Sequence, residues 1–146
     1  MSKQESHLEI GKKYKKGMCW GAWDGLHVGH LNLLSNAKDR CKKLYVGVSS
    51  DKYIKKIKGH KPIFNFSERC DALDKYASKY VDEMFIQDLD IATKEQRVKL
   101  FKPDVIFVGD DWKGKYWDGA ELGVRVVYLP RTKGISSTLL RKKICH

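Results

Sequence analysis

The chain has 146 residues, of which 42% are hydrophobic and 32% are charged, and only three are prolines. This composition is typical of one globular domain; it excludes wholesale disorder, and no apolar run approaches the roughly 20 residues that cross a bilayer. Basic residues outnumber acidic residues by 29 to 18, so the formal net charge is +11. Such a surplus favours anionic partners, namely nucleic acid, anionic lipid or phosphorylated small molecules.

Residues 1–16 are polar and rich in lysine, which predicts a basic N-terminal tail without the apolar stretch of a secretory signal. Residues 17–146 then form one domain. The four cysteines form no CxxC pair and lack the spacing of zinc ligands. A disulfide framework would be denser, so the cysteine pattern indicates a reducing, cytoplasmic compartment.

Short apolar runs alternate with helical patterns along the domain. In chain order the patterns predict a strand at 16–21, a helix at 28–41, a strand at 44–48, a helix at 67–79 capped by Ser67, a strand at 81–86, a helix at 93–101 capped by Thr93, strands at 104–108 and 124–129, and a last helix that starts at Ser136 or Ser137 and ends near 143. Because the strands are apolar on both faces, we expect an α/β fold with a parallel five-stranded sheet and helices on both faces. Such sheets bind ligands beyond the carboxyl ends of their strands.

The segment GAWDGLHVGH, residues 21–30, follows the first strand and opens the first helix. A helix N-terminus presents free N–H groups and the positive end of the helix dipole, and both suit a phosphate. His27 and His30 would lie at that end, where protonated or N–H-donating imidazoles stabilise charge on a phosphoryl group. Gly29 between them lets a phosphate approach the backbone. The alternative is two unrelated surface histidines.

Three more polar segments follow strands. Residues 109–112, GDDW, lie after the fourth strand and form either a ligand rim or a simple turn with a capping aspartate. Residues 131–138, RTKGISST, bring two cations and three hydroxyls to a predicted helix N-terminus, which makes either a second anion cradle or ordinary capping beside a solvated loop. Residues 55–61, KKIKGHK, predict a flexible basic loop that closes over a polyphosphate, or else a solvated run of charge.

Together these segments resemble the cytidylyltransferase family, most closely its glycerol-3-phosphate branch, over residues 17–144. Residues 21–24 stand where the family has GTFD or GxFD, residues 27–30 match HxGH, residues 109–115 resemble GDDWxGK, and residues 131–138 resemble RTxGIST. Residues 80–83, YVDE, the pair Lys58-Gly59, and Arg69 match further family positions. The chain departs from the pattern at Ala22, Trp23, Lys79 and Ser137.

The resemblance implies a single-domain Rossmann-like nucleotidyltransferase fold. It also implies transfer of CMP from CTP to a small phosphorylated alcohol, with glycerol 3-phosphate as the favoured acceptor, and release of pyrophosphate. The acceptor phosphate would attack the α-phosphorus in line without a covalent enzyme intermediate. Mg²⁺ or another divalent cation is expected with CTP, and the family implies a homodimer.

The resemblance further implies a role for each candidate residue. The expected catalytic residues are His27, His30, Lys58 and Arg131. The expected nucleotide-binding residues are Gly21, Ala22, Trp23, Asp24, Gly29, Gly109, Asp110, Asp111, Arg131, Thr132, Ser136, Ser137 and Thr138. The expected acceptor side consists of Lys58, Arg69, Lys79 and Trp112. Asp24 would orient its turn or help to hold the metal ion.

Two other interpretations stay open. The acceptor could be phosphocholine, phosphoethanolamine or a sugar phosphate, and the nucleotide could be ATP, because these transferases share the fold and the HxGH motif. A nucleic-acid-binding module is compatible with the charge, but the sequence has no helix-turn-helix, zinc-finger or RNP-type signature. We therefore expect neither a specific nucleic-acid partner nor membrane insertion.

Overall fold

The computed structural model of the chain describes residues 13–89, 92–114 and 121–132. The predicted last helix, with Ser136, Ser137 and Thr138, lies outside the described residues. Strands and helices alternate through the described ranges. The strands are β1 (Tyr14–Gly21), β2 (Cys41–Ser49), β3 (Glu83–Gln87), β4 (Val105–Gly109) and β5 (Arg125–Leu129), and the helices are α1 (Val28–Asp39), α2 (Asp51–Lys58), α3 (Phe66–Tyr76) and α4 (Lys94–Phe101).

All five strands lie in one parallel sheet with the order β3-β2-β1-β4-β5. The chain winds outward from β1 through β2 and β3, and then returns to β4 on the other side of β1. The strand order therefore reverses between β1 and β4, and open parallel sheets bind ligands at the carboxyl end of such a reversal. The predicted α/β class and the parallel five-stranded sheet are confirmed.

Each face of the sheet has its own hydrophobic core. On one face, α1 and α3 contribute the buried residues Leu34 and Leu73. On the other face, Tyr45 and Phe85 of the sheet contact Phe101 of α4 ring to ring. The predicted cover of helices on both faces is thus confirmed. Within the described ranges, no helix has the length and apolar character to span a membrane.

The sequence interpretation missed α2, because the lysines of residues 55–61 were interpreted as a flexible loop. Residues 55–58 are helical instead. Ser50 caps the helix, since its Oγ accepts a hydrogen bond from the Tyr53 backbone N–H at 3.0 Å, and Ile54 is buried against the body of the protein. Gly59 ends the helix with a φ of 80°, a left-handed conformation that glycine adopts without steric cost.

The predicted cap of α3 is also wrong, since Asn65 and not Ser67 precedes the helix. Asn65 Oδ1 accepts a hydrogen bond from the Glu68 backbone N–H, and Glu68 Oε1 accepts one from the Asn65 N–H, each at 2.8 Å. This reciprocal pair satisfies two backbone donors, whereas a lone serine satisfies one. The predicted cap Thr93 is confirmed at α4. The remaining boundaries shift by a few residues, and β1 begins at Tyr14, inside the predicted tail.

Candidate active site

A cleft of about 480 Å³ opens at the carboxyl edge of the sheet, where the strand order reverses. Residues that follow β1, β2, β4 and β5 line it, so segments far apart in the sequence meet in one site. Its volume is in the range that holds small-molecule ligands. The candidate residues that line it are Gly21, Ala22, Trp23, His27, Gly29, His30, Lys58, Gly109, Asp111, Trp112, Arg131 and Thr132.

His27 and His30 form a stacked pair at the N-terminus of α1. Their ring centroids lie 3.8 Å apart, with the planes tilted by 20°. His27 is the N-cap: its Nδ1 accepts hydrogen bonds from the backbone N–H groups of Gly29 at 3.0 Å and His30 at 3.4 Å. His30 Nδ1 in turn accepts one from the His27 N–H at 3.2 Å. The histidines therefore replace the usual polar residues of a capping box.

These hydrogen bonds fix the proton positions on both rings. An Nδ1 atom that accepts a hydrogen bond carries no proton, so each neutral imidazole carries its proton on Nε2. Burial, followed by the charges of His27 and Lys58, lowers the pKa of His30 to about 3. Burial and then the charge of Arg131 lower the pKa of His27. The pair is thus neutral at physiological pH, and His27 Nε2 is buried without a partner among the described residues.

Trp23 holds the loop that carries the histidines. Its indole ring is buried and meets the His30 ring edge to face, with the centroids 5.4 Å apart. Its Nε1–H donates to the backbone oxygen of Gly47 in β2 at 2.9 Å. Trp23 also has a φ of 55°, a conformation that costs free energy for a side chain of this size. The burial and the hydrogen bond stabilise that conformation, so Trp23 anchors the loop to β2.

Asp24 and Arg69 tie the same loop to the rest of the domain. The Asp24 carboxylate accepts hydrogen bonds from the backbone N–H groups of Ile63 at 2.7 Å and Phe64 at 2.9 Å. These bonds correspond to the predicted task of orienting the turn; the predicted role in metal binding stays a prediction.

Arg69 lies fully buried and does not reach the cleft. Its guanidinium donates to the backbone oxygens of Ala22 at 2.7 Å and Phe64 at 2.9 Å, and it forms an ion pair with Asp51 at 2.7 Å. A buried arginine with partners on three segments acts as a structural clamp. The expectation that Arg69 binds the acceptor directly is therefore corrected: Arg69 orders the segments that surround the cleft.

The segments after β4 and β5 contact each other on the side of the cleft where these two strands end. Residues Asp110–Trp112 form a short 3-10 turn. Asp110 Oδ1 accepts a hydrogen bond from the Arg131 backbone N–H at 3.2 Å, and the Arg131 guanidinium lies 3.5 Å from the Asp111 carboxylate. These contacts join two of the predicted ligand segments into one rim.

Lys79 lies outside this site, and its predicted contact with the acceptor is corrected. It is exposed and precedes β3, so it lies at the amino edge of the sheet, opposite the cleft. The neighbouring motif has a structural task there. Asp82 accepts a hydrogen bond from the Leu44 backbone N–H and pairs with Lys38, each at 2.7 Å, which fixes the start of β3 beside β2.

The cleft also contains residues that the sequence interpretation missed, among them Trp20, Tyr53 and Lys94. Trp20 lies in β1 directly before the GAWD segment, so its position near the carboxyl end of a buried strand was a usable signal. Tyr53 could not be found because α2 was missed. Asn32 is a further omission: its Nδ2 donates to Thr132 Oγ1 at 2.9 Å and joins α1 to the segment after β5.

Residues 13–89, 92–114 and 121–132 contain no protein cage for a metal ion. Among the described residues, no three histidine, cysteine, aspartate or glutamate side chains cluster as metal ligands. Among the described residues that line the cleft, Asp111 is the one acidic side chain, and it lies beside Arg131. The donor set therefore fits a divalent cation that arrives on a polyphosphate, because Mg²⁺ at such sites needs only one or two carboxylates besides the phosphates and water.

The arrangement suits a phosphate that gains negative charge. Neutral Nε2–H donors lie at a helix N-terminus, and Lys58 and Arg131 add positive charge around them. Donors that are already oriented stabilise a developing charge without reorganisation. A parallel sheet with this site at its strand reversal defines a nucleotidyltransferase, and the family model for cytidylyltransferase-like proteins matches residues 18–143. The chain belongs to that family.

Relatives of similar length support the assignment. The chain is 37% identical over 131 residues to a glycerol-3-phosphate cytidylyltransferase of Bacillus subtilis, a match that covers 89% of this chain and 97% of the relative. It is 33% identical over 130 residues to a glycerol-3-phosphate cytidylyltransferase of Staphylococcus aureus, with 89% and 95% covered. A lipopolysaccharide core biosynthesis protein from Thermoplasma volcanium has a similar fold, with a TM-score of 0.64 and 28% identity over 82% of this chain and 97% of that chain.

Proposed function

We propose that the protein transfers CMP from CTP to glycerol 3-phosphate and releases CDP-glycerol and pyrophosphate. The observation that carries this proposal is the neutral, stacked His27–His30 pair, whose Nε2–H groups are held ready at the N-terminus of α1. The names of the relatives with similar length support the nucleotide and the acceptor. The basic surplus of the chain agrees with polyanionic substrates and products.

The reaction is an in-line displacement at the α-phosphorus. A phosphate oxygen of the acceptor forms the new P–O bond, the bond to the β-phosphate oxygen breaks, and that oxygen keeps the electron pair as pyrophosphate leaves. The phosphate monoester attacks as an anion, so the enzyme needs no general base. Catalysis is then positioning together with stabilisation of the charge on the five-coordinate phosphorus.

His27 and His30 donate Nε2–H bonds to oxygens of the reacting phosphates. Lys58 and Arg131 line the same cleft, and the charge of Lys58 lowers the pKa of His30 while that of Arg131 lowers the pKa of His27. In the proposed reaction these two cations neutralise the polyphosphate. Gly109, Asp111 and Thr132 line the cleft, and in this proposal they contact the nucleotide. Ser136, Ser137 and Thr138 lie outside the described residues, and their task at the β- and γ-phosphates stays a prediction.

Three further expectations belong to this proposal. Mg²⁺ accompanies the triphosphate and supplies charge neutralisation when bound. A homodimer and a cytoplasmic location are proposed from the family resemblance. Light scattering of the purified protein tests whether it is a homodimer.

A panel of nucleotides and phosphorylated acceptors tests the function. Pyrophosphate release is measured with CTP, ATP, GTP and UTP, each with glycerol 3-phosphate, phosphocholine, phosphoethanolamine or a sugar phosphate. We expect the highest kcat/KM for CTP with glycerol 3-phosphate. Preference for another pair would assign that pair instead, and no release with any pair would contradict a transferase function.

A further inference from the structure

The cleft has a second end that the nucleotide segments do not occupy. The GDDW turn and Arg131 follow β4 and β5 on one side of the histidine pair. On the other side the cleft continues to the ends of β1, β2 and β3, where it is lined by Trp20, Ser49, Gln87, Tyr53 and Lys94. If the nucleotide takes the first side, as the proposed function requires, this second end is left for the acceptor.

Three side chains from three different elements meet at this end. Lys94, the first residue of α4, places its ammonium nitrogen 5.2 Å from the ring centroid of Trp20 and 5.6 Å from that of Tyr53. The same nitrogen lies 3.3 Å from the Tyr53 hydroxyl, to which it donates. Both distances to the ring centroids are within the range of a cation–π contact. The 3.3 Å contact with the hydroxyl places the ammonium beyond the edge of the Tyr53 ring, so the Trp20 ring and the Tyr53 hydroxyl already hold a cation that belongs to the protein.

The location of Lys94 strengthens the positive potential there. A lysine in the first turn of a helix adds its charge to the positive end of the helix dipole, which is an unfavourable place for a cation. The Trp20 ring and the Tyr53 hydroxyl offset part of that cost. The result is a fixed cation in a half-buried wall of the cleft, and it attracts an anionic acceptor and repels a cationic one.

A quaternary ammonium group also binds to the face of an aromatic ring such as that of Trp20. An acceptor such as phosphocholine would have to place its trimethylammonium group where the Lys94 ammonium already lies. It would lose the contact with the Trp20 ring and meet a like charge in a half-buried site. An acceptor whose tail carries only hydroxyl groups meets neither obstacle.

We infer that Trp20, Tyr53 and Lys94 form the acceptor subsite and that Lys94 is a specificity-determining residue. It selects a phosphate ester with an uncharged, hydroxylated tail over one with a cationic tail. This inference rests on the proposed function, because it assumes transfer to a phosphorylated acceptor. It goes beyond the proposed function because it names Lys94 as the residue that distinguishes acceptors with an uncharged tail from acceptors with a cationic tail.

The test compares kcat/KM for glycerol 3-phosphate and for phosphocholine in the full-length protein with CTP. Wild type should prefer glycerol 3-phosphate. Lys94→Met keeps the length of the side chain and removes its charge, and it should reduce that preference by about tenfold or more. Lys94→Arg keeps the charge and should keep the preference. Lys99→Met is the matched control, because Lys99 lies on the same helix, exposed, outside the cleft.

The outcomes distinguish a failure of the inference about Lys94 from a failure of the proposed function. An active wild type that uses phosphocholine as well as glycerol 3-phosphate overturns the inference without any variant. An unchanged preference in Lys94→Met also overturns it, and the proposed function then stands. Absence of pyrophosphate release by wild type with every acceptor contradicts the proposed function itself. If Lys94→Met does not fold, as judged by its thermal melting, Lys94→Gln takes its place and the wild-type preference still decides.

Discussion

In the proposed reaction the histidine pair acts through neutral N–H groups rather than through positive charge. Each Nδ1 is engaged by a backbone donor, and burial together with neighbouring charges lowers both pKa values. The two rings therefore keep one orientation and one tautomer before the substrate arrives. The sequence left protonated and N–H-donating imidazoles as alternatives, and these hydrogen bonds support the second.

Replacing His30 by alanine should lower kcat by about 10²-fold or more, because the lost donor acts on charge that grows in the transition state. Steady-state kinetics with CTP and glycerol 3-phosphate measure this. His60→Ala is the control, since the His60 ring contacts the Lys61 backbone oxygen and lies outside the cleft. A kcat for His30→Ala close to that of wild type would remove His30 from the mechanism.

The low pKa of His30 also predicts how stability depends on pH. In the unfolded chain a histidine takes up a proton near pH 6.5, whereas folded His30 does so only near pH 3. Between these values the unfolded state binds more protons, so the free energy of unfolding should fall as the pH falls. The contribution is about 2 kcal/mol between pH 7.5 and 5.

Urea denaturation of wild type and His30→Asn at pH 7.5 and pH 5 measures this contribution. The variant should lose less stability on acidification than wild type does. NMR titration of the imidazole provides an independent measurement, in which His30 should stay neutral down to pH 5. A measured pKa near 6.5 would contradict the neutral-donor account.

At the scale of the elements, α2 presents one lysine to the cleft and holds others away from it. Lys58 lines the cleft and its charge acts on His30, while Lys56 in the same turn is exposed and does not line it. Lys58→Ala should therefore lower kcat/KM for CTP by about tenfold, and Lys56→Ala should have a much smaller effect, because screened surface charges contribute little. Equal losses in the two variants would show that only the overall charge matters.

The cap of α3 affects stability. Asn65→Ala removes the side-chain acceptor of a capping box and should cost about 1 kcal/mol of unfolding free energy. Ser67→Ala should cost much less, because Ser67 lies inside the helix and does not cap it. Thermal or urea unfolding of both variants measures the difference. A larger loss for Ser67→Ala would contradict the assignment of the cap.

At the scale of the whole molecule, the parts of the fold that depend on apolar periodicity could be predicted. The strands of the parallel sheet are apolar enough to identify, and the motifs after β1, β4 and β5 converge because parallel strands end at one edge. α2 could not be identified, since its lysines mask the short apolar pattern around Ile54. Arg69 and Lys79 matched family positions, but only three-dimensional contacts show that one is a buried clamp and the other lies at the far edge.

The direct transfer of CMP in this cleft can be followed with CTP that is radiolabelled at its α-phosphate. With glycerol 3-phosphate present, the label should appear in CDP-glycerol, and the rate should fall sharply in His30→Ala. Protein precipitated during turnover should carry no label, because the acceptor attacks the α-phosphorus itself. Label bound to the protein, or retention of all label in CTP with folded wild-type protein and acceptor present, would contradict this account.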